Sequence, residues 1–480
     1  MNFLPTILKN RWKSTGGYRE LLGIALPLIL STSAWSIQHF IDRMFLTWYS
    51  TAAIAAAMPS GILNFMTMTL FIGTASYINT FVAQYFGAKQ SKKIGPIVWQ
   101  GNYIAIFGGI VHLLLIPFAK PIFSFFNHAL EIQSLEVIYF QILCLGAYPA
   151  IASSAFSSFF SGRGKPWPLM WINFIATLTN IIFDYLLIFG HCGFPEMGIS
   201  GAAIATVMSA CVSFIIYLII IMRPEFCTQF CPSSRRKFDL HLLQRLIQFG
   251  LPNGIQFFLD IAGFTAFLML MGQLGRDSLA ATNIAFNINN LAFMPMIGFG
   301  IAVSVMVGQY LGEDKPILAQ KSVYSGFHIT IIYMSLMAVL YLTNPDLFIK
   351  PFTAGSSGDE MEFIRKTVVI LLKFVALYSI FDTLNIIFAA AIKGAGDTRF
   401  VMWMISCLSV MVLIVPTYLA LIVWKKGIFV GWAIITVYII SLGTIFLLRF
   451  LGGKWKNMRV IEKAIPGLPA TFVETPTPDV

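Results

Sequence analysis

The chain has 480 residues, 57% hydrophobic and 11% charged, with a mean hydropathy of +0.78. A soluble domain carries roughly 25% charged residues, so this composition excludes a soluble globular protein and indicates an integral membrane protein. The net charge of +11 does not call for nucleic acid, because the basic residues sit in short loops, where they set membrane topology.

Residues 1–18 form a basic N-terminal segment. The apolar run after it is too long for a signal-peptide core of about 7–15 residues and reads as an uncleaved first helix. Crossing a bilayer takes about 20 apolar residues. The runs that meet this are 20–48, 55–85, 97–119, 133–158, 168–190, 199–222, 243–272, 280–311, 320–343, 367–391, 400–424 and 428–450. The longest polar stretch between them, RPEFCTQFCPSSRRKFD, separates the sixth from the seventh. The expected units are an N-lobe over 19–222, a linker over 223–242, a C-lobe over 243–452 and a tail over 453–480. The Pro- and Thr-rich tail sequence reads as disordered. The six cysteines, at 144, 192, 211, 227, 231 and 407, fit neither a zinc site nor a disulfide framework, and the close pair Cys227 and Cys231 lacks a second ligand pair.

With the N-terminus inside, 23 of the 32 Lys and Arg fall on the inner side and 5 in outer loops. The positive-inside rule then places both termini in the cytoplasm. The two halves repeat. Pro27 in GIALPLIL and Pro252 in QFGLPNGI stand 225 residues apart, as do Gln84 in VAQYFGAK and Gln309 in VGQYLGED. SGRGK at 161–165 echoes KGAGD at 393–397, and GISGAAIAT at 198–206 echoes GIFVGWAIIT at 427–436. Six spans per half make the repeats parallel, related by an axis along the membrane normal, as in transporters that rock two halves about a central site. GRGKPW lacks the spacing of a phosphate loop. No other motif suggests ATP hydrolysis, so an ion gradient is the expected energy source, and no enzyme activity or cofactor is expected.

Four aspartates, Asp42, Asp184, Asp260 and Asp382, lie within apolar spans, each costing at least ~2.5 kcal/mol at mid-membrane if charged and unpaired. Asn180 and Asp184 are i and i+4 and share a helix face. Asp42 is followed by Arg43 and preceded by His39, but adjacent helix positions point about 100° apart, so Arg43 is expected to reach outward. His39 and Arg43 are expected to modulate Asp42. Pro27 removes a backbone hydrogen bond beneath it and is a candidate hinge. His112 and His328 read as structural.

The helix-one proline followed by Asp42, the VAQYFGA and GRGKPWP stretches and NIIFDYLLIFG…GFPEMGISGAAIAT resemble the multidrug and toxic compound extrusion (MATE) family. FGLPNGIQFFLD, MVGQYLGE and FDTLNIIFAAAIKGAGDTRF resemble its second half. The resemblance covers about residues 15–450 and carries features of both the NorM-type and DinF-type branches. It implies an all-α membrane protein of twelve helices, in two six-helix lobes forming a V about a pseudo-twofold axis. It also implies export of lipophilic, often cationic compounds by antiport with Na+ or H+.

Residue by residue, the resemblance assigns Asp42, Asn180, Asp184 and Thr206 to a cation site in the N-lobe. This set offers oxygen acceptors plus one amide and one hydroxyl. Oxygen ligands suit a hard cation such as Na+, and a desolvated pair of carboxylates also suits a proton. Asp260, Tyr378 and Asp382 resemble a second-lobe site for cation or substrate, with Asp260 one methylene shorter than the usual Glu. The run Arg43-Met44-Phe45-Leu46 departs from the small residues that usually follow the helix-one Asp. The expected setting is a bacterial inner membrane, with drug-like substrates and lipids as partners and a monomeric chain. The alternative is a lipid-linked oligosaccharide flippase of the same superfamily, against which the acidic interior argues.

Overall fold

The computed structural model describes residues 11–126, 128–230, 238–353 and 359–462. The main helices are α1 (Tyr18–Tyr49), α2 (Thr51–Ser76), α3 (Ile78–Gly87), α4 (Ile94–Leu115), α5 (Leu130–Leu145), α6 (Ala147–Gly162), α7 (Trp167–Phe189) and α8 (Ile199–Ile221). After the linker come α9 (Leu240–Gly272), α10 (Arg276–Gly312), α11 (Pro316–Thr343), α12 (Asp359–Ala395), α13 (Thr398–Leu408) and α14 (Ile428–Leu451). Among the described residues, 11 helical spans are long and apolar enough to cross a membrane. α5 and α6, bent by 44° at Gly146, make a twelfth.

Two spans differ locally from regular helices. The second breaks at Tyr77 between α2 and α3. The eleventh continues from α13 through π-helical turns at Ser409–Ile414 and Leu419–Val423, on either side of Val415–Tyr418. Pro416 lies between these wide turns; proline has no N–H to give and its ring crowds the preceding turn. α9, α10 and α12 each extend several residues past the expected spans. The tail is corrected too. Residues 453–462 are ordered, with a 3-10 turn at Lys454–Asn457 and with Trp455 and Val460 buried. Residues 463–480 and Cys231 lie outside the described residues.

The lobes meet where α2 packs on α9 and α1 and α3 pack on α10. The approach is backbone to backbone. A Cβ on Gly73 would stand 2.7 Å from the Gly254 Cα, and one on Gly87 would stand 2.0 Å from the Gln309 carbonyl oxygen. Gly312, the repeat partner of Gly87, meets the Gln84 carbonyl in the same way, at 2.2 Å. Only glycine allows such contact.

The glutamines of the repeat complete this junction. The Gln84 amide donates to the Gly394 carbonyl at 3.0 Å, and the Gln309 amide donates to the Gly162 carbonyl at 2.8 Å. Each of the repeated Gln-x-x-Gly stretches therefore binds the repeated glycine turn of the opposite lobe. Gln84 Oε1 also accepts from the Val460 N–H at 2.8 Å. The equivalent tyrosines each donate to a carboxylate, Tyr310 to Glu20 at 2.6 Å and Tyr85 to Glu462 at 3.3 Å. Glu462 also binds Arg245, and it binds Lys93 at 3.1 Å.

These bonds cluster on the side of the molecule that holds both described chain ends. The inter-lobe contacts continue along α1 and α10 to Thr32, which donates to the Met294 carbonyl at 3.2 Å, and to Phe65 against Phe257 at 6.0 Å. Asp42 lies ten residues farther along α1, about 15 Å at 1.5 Å per residue. The lobes are thus joined at the chain-end side and spread beyond it.

Two outcomes follow. A net hydrogen bond is worth roughly 1 kcal/mol, so Gln84→Ala, losing two, should favour lobe separation at the chain-end side by roughly thirtyfold, and Gln309→Ala, losing one, by roughly fivefold. Electron–electron double resonance between spin labels at Lys89→Cys and Lys315→Cys reads this as a growing long-distance population; an unchanged distribution would refute the latch. Second, burial pushes the Glu462 carboxyl up, but Arg245 and Lys93 outweigh it and hold the group below its ordinary 4.5. Its contribution is therefore complete above that value and is lost as pH falls through the lowered one. With Asp42 and Asp184 both replaced by Asn, the same labels should separate as the pH falls below 4.5, and adding Glu462→Gln should remove that step.

Candidate functional site

α7 supplies one polar face. Asn173, Thr177, Asn180 and Asp184 recur at steps of four, three and four, which stacks them along one side of a helix. That face packs on α1 and α8. The Asn173 amide donates to Ser31 Oγ at 2.5 Å and the Tyr217 hydroxyl donates to Asn173 Oδ1 at 3.3 Å. The Thr177 hydroxyl stands 3.4 Å from both the Ala34 carbonyl and Gln38 Oε1. One turn farther out, the Asn180 amide reaches Thr206 Oγ1 at 3.5 Å.

The outer end of this track differs from the rest. Asp42 is 9% exposed and Asn180 and Asp184 are fully buried. Asp42 Oδ1, Asn180 Oδ1 and both Asp184 oxygens have no hydrogen-bond donor among the described residues. Asp42 and Asp184 are close enough to interact electrostatically, and buried Tyr139 of α5 lies within range of both. A buried polar atom without a partner costs about 1–3 kcal/mol, and a charge costs more. These four donor-less oxygens, carried by the packed helices α1 and α7, make an acceptor-only cradle.

Arg43 is exposed and forms no ion pair with Asp42 among the described residues, although it acts on Asp42 electrostatically. His39, half-buried, packs edge-on against Trp35 at 4.7 Å. Pro27 is buried inside α1, which runs unbroken from Tyr18 to Tyr49. His112 bridges the Gly108 carbonyl and Thr67 Oγ1, at 2.8 and 3.1 Å, and His328 meets the Tyr18 hydroxyl at 3.1 Å.

The C-lobe carboxylates have donors. The Gln256 amide donates to Asp260 Oδ2 at 3.2 Å and the Asn385 amide donates to Asp382 Oδ1 at 3.1 Å. Buried Tyr378 lies one turn before Asp382 on α12. Tyr438, bonded to Ser409 at 2.9 Å, interacts with both aspartates. Lys393, assigned from sequence to an inner loop, instead occupies the last turn of α12 and acts electrostatically on Asp260. Sequence reading missed Lys393, Tyr139 and Tyr438. The polar rows on α7 offered a 4–3–4 signal, but a lone tyrosine in an apolar span offers none.

A family model, MatE, matches residues 27–186 and 252–419. The chain belongs to the MatE family. It is thus a multi-pass membrane protein of a transporter family, and its lobes are those of the MATE fold. A protein named probable multidrug resistance protein NorM, from Thermotoga maritima, is 26% identical over 453 residues, covering 93% of this chain and 94% of its own length. Another protein of that name, from Shewanella oneidensis, is 26% identical over 394 residues, 79% and 82% of the two chains. Among solved structures, a multidrug resistance MATE family transporter in an outward-facing conformation superposes with a TM-score of 0.83 at 15% identity, over 93% of this chain and 98% of that one. A eukaryotic MATE transporter superposes at 0.81 with 19% identity, over 91% and 96%.

Binding to the folded state stabilises it by about 2.7 kcal/mol when ligand is at a hundredfold excess over Kd. Scanning fluorimetry should therefore show the wild-type Tm rising with Na+ or with acidification. Asp42→Asn and Asp184→Asn should fold and lose that response. If both keep it, the cradle does not bind the coupling ion.

Proposed function

We propose that this chain is a secondary active multidrug exporter that expels lipophilic, often cationic compounds in exchange for Na+ or H+. The observation that carries the reading is the cradle of four buried, donor-less oxygens at Asp42, Asn180 and Asp184, with Thr206 as a further oxygen. The NorM names of the relatives agree with it. The basic chain-end side faces the cytoplasm of a bacterial inner membrane, by the excess of Lys and Arg there.

In this arrangement the lobes are open outward, and the cradle loads from outside. Loading neutralises a carboxylate pair whose charge disfavours tight packing, and so changes the relative free energy of the two lobe orientations. Only such differential affinity moves the equilibrium. The Gln84 and Gln309 latches then release and the inner side opens. The cation leaves inward and substrate enters between the lobes. Pro27, in the helix that carries Asp42, is the proposed hinge. His39 and Arg43 tune the charge at Asp42. Asp260, Tyr378 and Asp382, whose carboxylates already hold donors, are proposed to receive cationic substrate rather than the coupling ion. The chain acts without cofactor, as a monomer.

Dye efflux from proteoliposomes under imposed Na+ or proton gradients tests this reading. Asp42→Asn and Asp184→Asn should fall to the level of empty liposomes under either gradient, while Asp260→Asn alters which dyes are exported and keeps the ion dependence. Gradient-driven export by both N-lobe variants would sink the proposal.

A further inference from the structure

The two latches are built alike but are not finished alike. At the Gln84 latch the chain's own C-terminal segment fills the space. Val460 packs there, and the Glu462 carboxylate meets the cations Arg245 and Lys93. At the Gln309 latch the equivalent space is an open cleft of about 520 Å³ between the start of α1, the Arg163–Gly164 turn and Gln309.

Three cations line this cleft, Lys13, Arg19 and Arg163. Its one carboxylate, Glu20, is already engaged through both oxygens, by the Tyr310 hydroxyl at 2.6 Å and the Gly16 N–H at 2.8 Å. Arg163 is only 7% exposed. Its guanidinium lies 3.8 Å from the Phe159 ring centre and 4.8 Å from that of Phe230, and its Nε donates to the Phe159 carbonyl at 2.9 Å. Among the described residues no carboxylate pairs with Arg163, Arg19 or Lys13. A nearly buried guanidinium, held rigid by rings and without a counter-charge, is a preorganised anion partner. Guanidinium and ammonium groups are the donors that phosphate oxygens take most strongly. Trp12, 48% exposed, stands on the rim, the residue type that settles at the headgroup level of a membrane.

We propose that this cleft binds an anionic phosphate group, of the kind an acidic phospholipid headgroup presents, and that its occupation holds the lobes together at the chain-end side. Gln309 belongs to the C-lobe, Arg19, Glu20 and Arg163 to the N-lobe, and Lys13 to the N-terminal segment, whose Gly16 is bonded to Tyr310 and Ser325 of the C-lobe. A bound phosphate therefore contacts both lobes only while the latch is closed, and favours that state by its differential affinity. Glu20 takes the tyrosine at this latch as Glu462 does at the other, but among the described residues it pairs with no cation; the phosphate is the counter-charge that Lys13, Arg19 and Arg163 lack. The cleft is separate from the cradle, so the inference stands or falls independently of the proposed transport cycle.

Native mass spectrometry of the detergent-purified full chain tests it, with phosphatidylglycerol, phosphatidylcholine and inorganic phosphate added separately. Arg163 is built into the aromatic box, so its replacement endangers the fold; the exposed pair Lys13→Gln/Arg19→Gln carries the test instead. A basic side chain near an anionic lipid surface is worth about fivefold in affinity, so the double variant should hold phosphatidylglycerol roughly 25-fold more weakly. Phosphatidylcholine should dissociate readily from both proteins. In the wild type alone, phosphatidylglycerol should also sharpen the short-distance population between labels at Lys89→Cys and Lys315→Cys. If inorganic phosphate binds with the same dependence on Lys13 and Arg19 while the lipid does not, the occupant is the free anion. Equal retention of both lipids without phosphate binding, or a double variant that holds the phosphate-bearing ligand as the wild type does, overturns the assignment.

Discussion

Everything in this molecule depends on backbone touching backbone along one side of a two-lobed body. Gly73 against Gly254, Gly87 against the Gln309 carbonyl and Gly312 against the Gln84 carbonyl bring the lobes to a separation that no side chain tolerates. Close approach of this kind is how helices associate in a membrane, where hydrophobic burial between helices offers little and packing with hydrogen bonds must suffice. Because the contacts lie on one side, the other side is left spread. Around these contacts, apolar side chains of both lobes, Leu21 and Phe81 with Leu246 and Val303 among them, form one buried cluster.

The same scarcity of donors that makes the latch work also defines the cradle. Inside a bilayer every polar atom must find a partner within the protein, and the track along α7 does so at Asn173 and Thr177. It stops doing so at Asn180 and Asp184, where the acceptors outnumber the donors. The C-lobe shows the contrast. Its aspartates receive amide donors from Gln256 and Asn385, so a cation gains less there. The chemical difference between the lobes thus lies in which acceptors are left bare and not in how many carboxylates each holds.

The twelve spans and the half-repeat were legible in the sequence, because length, hydropathy and a 225-residue offset are properties of the chain itself. The facing of Asn180 and Asp184 was legible from helical period. The breaks were less so. Gly146 and Tyr77 interrupt runs that stay apolar throughout, and hydropathy does not register a bend. The repeated Gln-x-x-Gly and glycine-turn stretches were visible as echoes, but their roles were not. Their meaning lies in a contact between Gln84 and a carbonyl 310 residues away, which no local pattern encodes. Lys393 lies past the apolar run that ends at 391 and so reads as a loop cation, yet α12 runs on to Ala395 and carries it.

The partner that Gln84 finds in Val460 lies 376 residues later in the chain. Synthesis runs from the N-terminus and lobes fold as units, so the N-lobe is inserted with this amide oxygen waiting. The junction at the chain-end side therefore cannot be completed until residue 460 has been made, after the helices of both lobes. The repeat gives two halves of one design, but the order of their making is not symmetric: the second half arrives to find the first already in place and closes the joint with the segment that follows its last helix.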